Sequence, residues 1–371
     1  VKLDCPDEPG NDGGERDRPG GTQTQRTWLI PPAAYKSKKD SFMSFQALVT
    51  SKGDDGKVGS RVETLTDDRL PEGNVTVDVE WAGLNYKDGL CLTGAGGLVR
   101  TYPHVAGIDF AGTARESQDQ RYKPGDKVVL TGWRVGEVHW GGYAQRARVN
   151  ADWLVPLPDG LDTRDAMIVG TAGLTAMLAV DRLENLGVRP ESGEVLVTGA
   201  AGGVGTIAIS ILARLGYQAV ALSGRPEHGA TLKELGATDV VGREDFLAQP
   251  DKVLESARWA GLIDNVGGKI LSKALRQVKY GGAAAAIGNA GGIDLETNVL
   301  PFILRGVTLS GIDSVMQPYA NRIAAWSRIA KTFDLGAYAA LVEEVGLADL
   351  PDAAAKILAG QVRGRTIVRL R

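Results

Sequence analysis

Apolar and polar positions follow two different periods along this chain. Between Met43 and about residue 165 the apolar runs are short. Val75, Val77 and Val79 alternate with Thr76, Asp78 and Glu80 before Trp81, the period-two pattern of a half-buried strand. Phe45 to Val49, Lys127 to Leu130 and Leu154 to Leu157 read as further strands, His104 to Gly112 as a turning strand and Gly141 to Val149 as another. Tyr122-Lys-Pro-Gly-Asp126 is a turn signal between two of them. That many short strands predicts a barrel-like β domain over 43–165.

The period changes near Asp165. Residues 165–185 carry apolar positions at helical spacing, and strand and helix patterns then alternate. Glu194–Thr198, Gln218–Leu222, Gly261–Asp264, Ala283–Ile287 and Val307–Asp313 read as strands, with Asp239–Val241 as a short one. Gly205–Leu215, Glu227–Leu235 and Lys269–Gln277 read as the helices between them. This alternation predicts an α/β fold with a doubly wound, Rossmann-type parallel sheet over 166–314. Tyr319–Thr332 reads as a helix, and Thr366–Leu370 as a terminal strand able to return to the first domain.

Residues 1–42 match neither texture. The first 40 hold 14 charged residues, 5 Gly and 5 Pro, with almost no apolar run. They are expected to be a disordered tail or an extension before a functional start at Met43, with a packed arm as the alternative. Composition narrows the function classes. The two cysteines, Cys5 and Cys91, and the three histidines, His104, His139 and His228, are too scattered for a zinc knuckle or a disulfide framework, so no metal is expected and a reducing compartment fits. The net charge is -3 without a Lys/Arg cluster, which argues against nucleic acid, and no run of 18 apolar residues argues for a membrane span. Glycine is 49 of 371 residues, and only five fall before Met43, which leaves 44 in the patterned region.

The sharpest motif is Gly199-Ala-Ala-Gly-Gly-Val-Gly205, between the strand ending at Thr198 and a helix. Glycines there permit a tight turn and close backbone approach to a pyrophosphate, and the helix N-terminus offers it free N–H groups. An NAD site places an acid at the end of the second strand. Here that strand ends Leu222-Ser-Gly-Arg225, a hydroxyl and a guanidinium suited to a 2′-phosphate, so NADPH is the expected cofactor. Glu227 opposes that reading if it points inward. Loops after the later strands, with Asn265, Gly288 and Asn289, are expected to pass the nicotinamide end. The full set of expected cofactor contacts is Thr198, Gly199, Ala201, Gly202, Gly203, Val204, Ser223, Arg225, Asn265, Gly288, Asn289 and Ile312.

For the chemistry, Asn85-Tyr-Lys-Asp88 forms a polar loop after the Trp81 strand. Tyr86 is the candidate proton donor and Asn85 a candidate for orienting a carbonyl or the nicotinamide ribose. Lys87 and Asp88 are expected to pair or to hold the loop. Tyr102 is a candidate substrate contact. His104 reads as structural, and His139 with Trp140 as cleft-lining.

These residues resemble the medium-chain dehydrogenase/reductase superfamily. The resemblance covers 43–371 and is nearest to the zinc-free quinone oxidoreductase branch and, within it, to the acrylyl-CoA reductase group. It is carried by Trp81-Ala-Gly-Leu-Asn-Tyr-Lys-Asp-Gly89, Val105-Ala-Gly-Ile-Asp-Phe-Ala-Gly-Thr113, Trp140-Gly-Gly-Tyr-Ala144, Gly170-Thr-Ala-Gly-Leu-Thr-Ala176, Thr198 to Gly205, and Leu309-Ser-Gly-Ile-Asp-Ser-Val-Met316. Zinc-dependent relatives place a Cys near Asn85 and a His-Glu pair near Ile108-Asp109, and this chain departs from both. The resemblance implies a GroES-like first domain, a segment over 315–371 that rejoins it, and a cytoplasmic, usually dimeric enzyme. It further implies NADPH-dependent reduction of acryloyl-CoA to propionyl-CoA. Arg305 and Arg322 are then candidates for the coenzyme A phosphates. A quinone or 2-alkenal reductase is the alternative, and a non-catalytic NADPH-binding protein the alternative of another class.

Overall fold

The computed structural model describes residues 43–250 and 252–371, so the expectation of a disordered tail over 1–42 lies outside the described residues. The alternating run after Asn74 folds as the strand Val75–Leu84, whose Val75, Val77 and Val79 are fully buried. It is the spine of a seven-stranded sheet. Asp109–Ser117 pairs with it antiparallel on one side, and Arg146–Val149 pairs along its first residues. Lys127–Thr131 and Leu154–Pro156 extend that edge. On the other side lies the C-terminal strand Arg365–Arg369, antiparallel, with Ile367 opposite Gly83, and then Val342–Gly346. A smaller sheet of Val58–Thr66, Ser44–Lys52 and His104–Val105 shares its core, with Phe45 and Leu48 packed among Val77, Phe110 and Leu130.

Two expected strands are shorter than their apolar content suggests. His104–Gly112 is split by Ala106-Gly107-Ile108, and Gly141–Val149 is a strand only from Arg146. Both breaks have one cause. Gly107 has φ of 106°, and a Cβ on Gly141 would stand 2.1 Å from the Gly107 carbonyl oxygen. The two backbones cross where side chains would keep them apart. Val58–Thr66 escaped the sequence reading because most of its residues are at least partly exposed, which leaves no alternation to detect.

The second sheet has six parallel strands in the order Asp239–Gly242, Gln218–Ser223, Glu194–Thr198, Trp259–Asp264, Val278–Ala286, Thr308–Gly311. The chain direction of winding reverses between Glu194–Thr198 and Trp259–Asp264, which opens a crevice beyond their carboxyl ends. Trp259–Asp264 is buried along its whole length, as a parallel strand covered on both faces requires. The architecture is therefore a Rossmann-like sheet with a GroES-like β domain.

The helix Thr163–Asn185 packs on strands of both sheets. The Asp162 carboxylate accepts from Asp165 N at 2.7 Å, and the Asp165 carboxylate from Asp162 N at 3.3 Å, a capping box. The helix is long and apolar enough to cross a membrane by composition, yet its apolar window is 83% buried inside the protein, as a core helix is. It is interrupted at Gly170, where φ is 50° and ψ is -156°.

Candidate active site

The crevice is built from the first and fourth strands of the parallel sheet. Thr198 Oγ1 donates to Asp264 Oδ1 at 2.6 Å and accepts from Asn265 N at 3.0 Å, while Asn265 Nδ2 donates to Thr198 O at 2.7 Å. Thr198 and Asn265 thus brace the two strand ends against each other. Asp264 is fully buried and also accepts from Gly267 N at 2.7 Å; desolvation holds its carboxyl above the ordinary value. Above this brace runs the glycine loop. Gly199 has φ of 59°, and a Cβ on Gly205 would lie 2.5 Å from Gly199 O. A Cβ on Gly288 would lie 2.5 Å from Asn265 O. Gly202, Gly203 and Val204 are partly exposed at the start of the helix Gly203–Arg214, and Gly288 and Asn289 are exposed opposite them. Ala201 is buried under the loop, and Ile312 N donates to Ala286 O at 3.0 Å at the end of the sheet. The loop keeps side chains out of the space that a dinucleotide pyrophosphate would occupy, so the residues fit that group.

The end of the second strand carries more positive charge than the sequence suggested. Ser223 Oγ accepts from Arg225 N at 3.1 Å, and Arg225 Nη1 donates to Gly360 O at 3.1 Å and Val362 O at 2.9 Å. The Arg243 guanidinium covers Gly224, where a Cβ would stand 2.7 Å from its Cζ. Burial, then the neighbouring Arg225 and Arg363 charges, push the His228 imidazole below its ordinary value. Arg225, Arg243 and Arg363 bring three guanidinium charges to this strand end, with the His228 imidazole among them. Glu227, its side chain 62% exposed, lies 3.9 Å from His228 Nε2, and its charge also reaches Arg225, so it offsets part of the positive field there. Arg243 and Arg363 were missed by sequence reasoning. The legible signal for Arg243 was its place directly after the Asp239–Gly242 strand, on the same crevice rim.

The Asn85–Asp88 segment is not a loop but the start of the helix Tyr86–Thr93. Asp88 Oδ2 accepts from Asn85 N at 2.9 Å, which satisfies an orphan donor of the first turn. The Asn85 side chain, expected to orient a carbonyl or the nicotinamide ribose, is engaged inside the protein. Its Nδ2 donates to Asp88 Oδ2 and Asp109 Oδ1, each at 3.1 Å, and its Oδ1 accepts from Arg365 Nη1 at 3.1 Å. Lys87 does not pair with Asp88 either, because Asp88 is fully buried and accepts from Ile108 N at 2.8 Å. Lys87 pairs instead with Glu137 at 3.0 Å. Burial and the negative charge of Asp109 push the Asp88 carboxyl up to about 7. Tyr86 is 55% exposed, and its hydroxyl has no partner among the described residues.

Arg365, on the last strand, is the residue that ties the parts together, and sequence reasoning missed it. It is 3% exposed and donates to Ile168 O at 3.1 Å, Leu84 O at 3.3 Å and Met167 O at 3.4 Å besides Asn85. A Cβ on Gly203 of the nucleotide loop would lie 3.3 Å from its Cδ. The helix interruption at Gly170 explains these bonds: Thr171 N is turned to Asp109 Oδ2 at 2.6 Å, and the Met167 and Ile168 carbonyls are left to the guanidinium.

The guanidinium donors of the two arginines expected to meet coenzyme A phosphates go largely to oxygens of the protein itself. Arg322 is fully buried and spends its donors on Thr131, Ser314, Val315 and Gln317 oxygens. Arg305 donates to Arg276, Val278 and Glu255 carbonyls. Both tie backbone segments together. His104 is buried with Nε2 2.9 Å from Gly136 O, a structural contact. His139 Nε2 lies 2.8 Å from Arg148 O and its ring packs edge-on against Trp153, whereas Trp140 and Tyr102 line a cleft.

Among the described residues no three His, Cys, Asp or Glu side chains gather as a metal group. Residues 71–159 match the alcohol dehydrogenase GroES-like domain, and 203–331 match the family described as zinc-binding dehydrogenase. The acrylyl-CoA reductase AcuI of Ruegeria pomeroyi is 58% identical over 325 residues, 87% of this chain and 98% of that protein. The putative quinone oxidoreductase YhfP of Bacillus subtilis is 45% identical over 327 residues, 88% of this chain and 99% of that one. Among solved structures, the yhdH oxidoreductase of Salmonella enterica in complex with NADP superposes with a TM-score of 0.85 at 52% identity. Bacillus subtilis yhfP with NAD bound gives 0.85 at 44%. Each alignment covers 88% of this chain and 100% of the other. The chain belongs to the medium-chain dehydrogenase/reductase superfamily, in its zinc-independent quinone oxidoreductase and AcuI-like branch.

Proposed function

We propose that this protein is an NADPH-dependent reductase that converts acryloyl-CoA to propionyl-CoA. The observation that carries the substrate is the 58% identity to the Ruegeria enzyme along 98% of its length. The cationic cluster of Arg225, Arg243 and Arg363 supports NADPH over NADH, since a 2′-phosphate would otherwise be the one charge left without a partner.

NADPH, when bound, supplies the hydride for the β-carbon of the acryloyl group. The chain's own residues do the rest. The Thr198–Asn265 brace and the glycine loop hold the crevice open at the topological switch point. Tyr86, exposed at the start of its helix, gives a proton to the α-carbon, so that hydride and proton together saturate the double bond. Asn85, Asp88, Asp109 and Arg365 fix the backbone that presents Tyr86. The tyrosinate left after the transfer takes its proton back from solvent, to which Tyr86 is exposed.

The enzyme is further proposed to act as a cytoplasmic homodimer. The Thr308–Gly311 strand has no outer partner among the described residues, and Val299 and Ile303, at the helix Leu300–Arg305 that precedes it in the chain, are 63% and 68% exposed. A second copy added along that edge would cover both, and a monomeric mass in light scattering would remove this reading. The decisive assay for function compares NADPH oxidation with acryloyl-CoA, a free 2-alkenal and a quinone. Comparable or higher kcat/KM on the quinone overturns the thioester preference, and wild-type turnover by Tyr86→Phe removes Tyr86 as the acid.

A further inference from the structure

We propose that a basic cleft at the far end of the Tyr86–Thr93 helix holds the phosphorylated adenosine end of the coenzyme A thioester. This rests on the acyl-CoA reading above and adds a binding site to it. The cleft consists of two adjoining cavities of about 510 and 300 Å³. Lys52 and Tyr102 line both. Lys57 and Arg100 line the first, and Arg61 and Arg69 the second.

The charge there is lopsided. Lys52, Arg69 and Arg100 have no ion-pair or side-chain hydrogen-bond partner among the described residues. Lys57 meets only Asp55 at 3.4 Å, and Arg61 only Glu63 at 2.7 Å, both cations being largely exposed. Five cations thus face two acids in a protein whose net charge is -3. Concave walls focus such a field, and the ligand it suits is a compact polyanion such as a diphosphate with a further phosphate. Tyr102 and Trp140 add aromatic faces on which a purine can stack. Gly97 lines the first cavity, and a Cβ there would meet nothing within 4 Å, so its mouth is open.

The position suits the reaction. Thr93 and Gly94 line the cleft, while Tyr86 begins the same helix. Eight helical residues span about 12 Å at a rise of 1.5 Å each. A pantetheine arm laid along that helix would carry the thioester from the cleft to Tyr86. The phosphate role first assigned to Arg305 and Arg322, whose donors are taken by backbone oxygens, falls instead to these residues.

The test is a Lys52→Gln/Arg69→Gln/Arg100→Gln variant of the full chain, measured with two thioesters and one nucleotide. Acryloyl-pantetheine keeps the reacting group and arm but lacks the nucleotide. Adenosine 3′,5′-bisphosphate keeps the phosphates but lacks the thioester, and is titrated by calorimetry with the cofactor crevice saturated by NADP⁺. The expected result is a KM for acryloyl-CoA raised roughly 10- to 100-fold, as loss of charge-assisted phosphate contacts implies, with kcat unchanged. KM for acryloyl-pantetheine stays within about twofold, and bisphosphate affinity falls in parallel with that for the CoA ester. A companion Lys52→Arg/Arg69→Lys/Arg100→Lys variant keeps the charge and should retain most of the affinity, which separates charge from folding. An unchanged KM for acryloyl-CoA, or an equal rise for both thioesters, overturns the proposal. So does a wild-type protein that does not bind the bisphosphate. If the wild type binds it, the Gln variant does not, and neither thioester is reduced, the cleft stands and the acyl-CoA reductase reading falls.

Discussion

Arg365→Met is the sharpest single test of how the site is held. The guanidinium is 3% exposed and makes two well-formed bonds at 3.1 Å, to Ile168 O and Asn85 Oδ1, with two longer ones to Leu84 O and Met167 O. It is also the cation beside the buried Asp109, since a Cβ on Gly83 or Gly170 would touch both side chains within 2.8 Å. Methionine fills much of the volume but returns neither the charge nor the donors. A buried charged hydrogen bond contributes about 1.5–3 kcal/mol, and Arg365 makes two well-formed ones, so the expected loss is about 3–5 kcal/mol. With a urea m-value of about 3 kcal/mol/M, the unfolding midpoint should fall by about 1–2 M. Asn85 would lose the bond to its Oδ1, so kcat should fall even where the variant is fully folded. Arg365→Lys, which keeps the charge with fewer donors, should recover part of both. A stability loss under about 1 kcal/mol together with wild-type kcat would refute the role assigned to this residue.

Gly170→Ala should destabilise by about 3 kcal/mol or more, because the backbone there is nearly glycine-only and the new Cβ would stand 2.7 Å from Arg365 Nη2; thermal and urea unfolding would show it. Arg225→Ala and Arg243→Ala should each weaken NADPH about tenfold or more and NADH within about twofold, as read by cofactor fluorescence; equal losses for both cofactors contradict a 2′-phosphate site. Asp88 supplies a pH test. Its folded value of about 7 lies above the ordinary 3.8, so the native state holds the extra proton and stability falls as pH rises through that window. About three pH units at about 1.4 kcal/mol each set an upper scale of about 4 kcal/mol. Asp88→Asn should lack that decline, and the same slope from about pH 4 to 7 in both proteins would count against the raised value.

The parallel sheet was legible because its central strands are buried almost along their whole length and the helix Gly203–Arg214 is long enough to show its period. The helix Tyr319–Thr332 appears with the bounds its periodicity predicts. What escaped was set by distant partners. Val58–Thr66 pairs along its full length with Ser44–Lys52 but buries little, so its sequence carries no face. The Asn85–Asp88 stretch is polar and reads as a loop, yet its carboxylate caps a helix. The arginines show the limit most clearly. Arg305 and Arg322 looked available for a ligand and are engaged by carbonyls, while Arg365 looked like an ordinary residue of a terminal strand and is buried at the junction. Where a guanidinium ends up depends on which carbonyls and acids the tertiary fold leaves unpaired, and local periodicity contains none of that.

The corner occupied by Asn85, Asp88 and Asp109 is where the family pattern leads one to expect ligands in zinc-dependent relatives. Buried acids there need a compensating charge whatever the chemistry nearby. In this chain Asp109 accepts from Gly83 N, Asn85 Nδ2 and Thr171 N, and Arg365 adds a nearby cation from a strand that arrives last in sequence and pairs with Val75–Leu84. Burial, and then the negative charge of Asp109, raise the Asp88 value. The buried guanidinium gives the C-terminal strand a second task beside completing the sheet. The same arginine borders the glycine loop at Gly203 and Asn85, the N-cap of the Tyr86–Thr93 helix, so the strand's return places one buried cation between that loop and the residue proposed as proton donor. A chain ending before Arg365 would lose the sheet edge and the counter-charge together, which is why the last strand belongs to the site as much as to the fold.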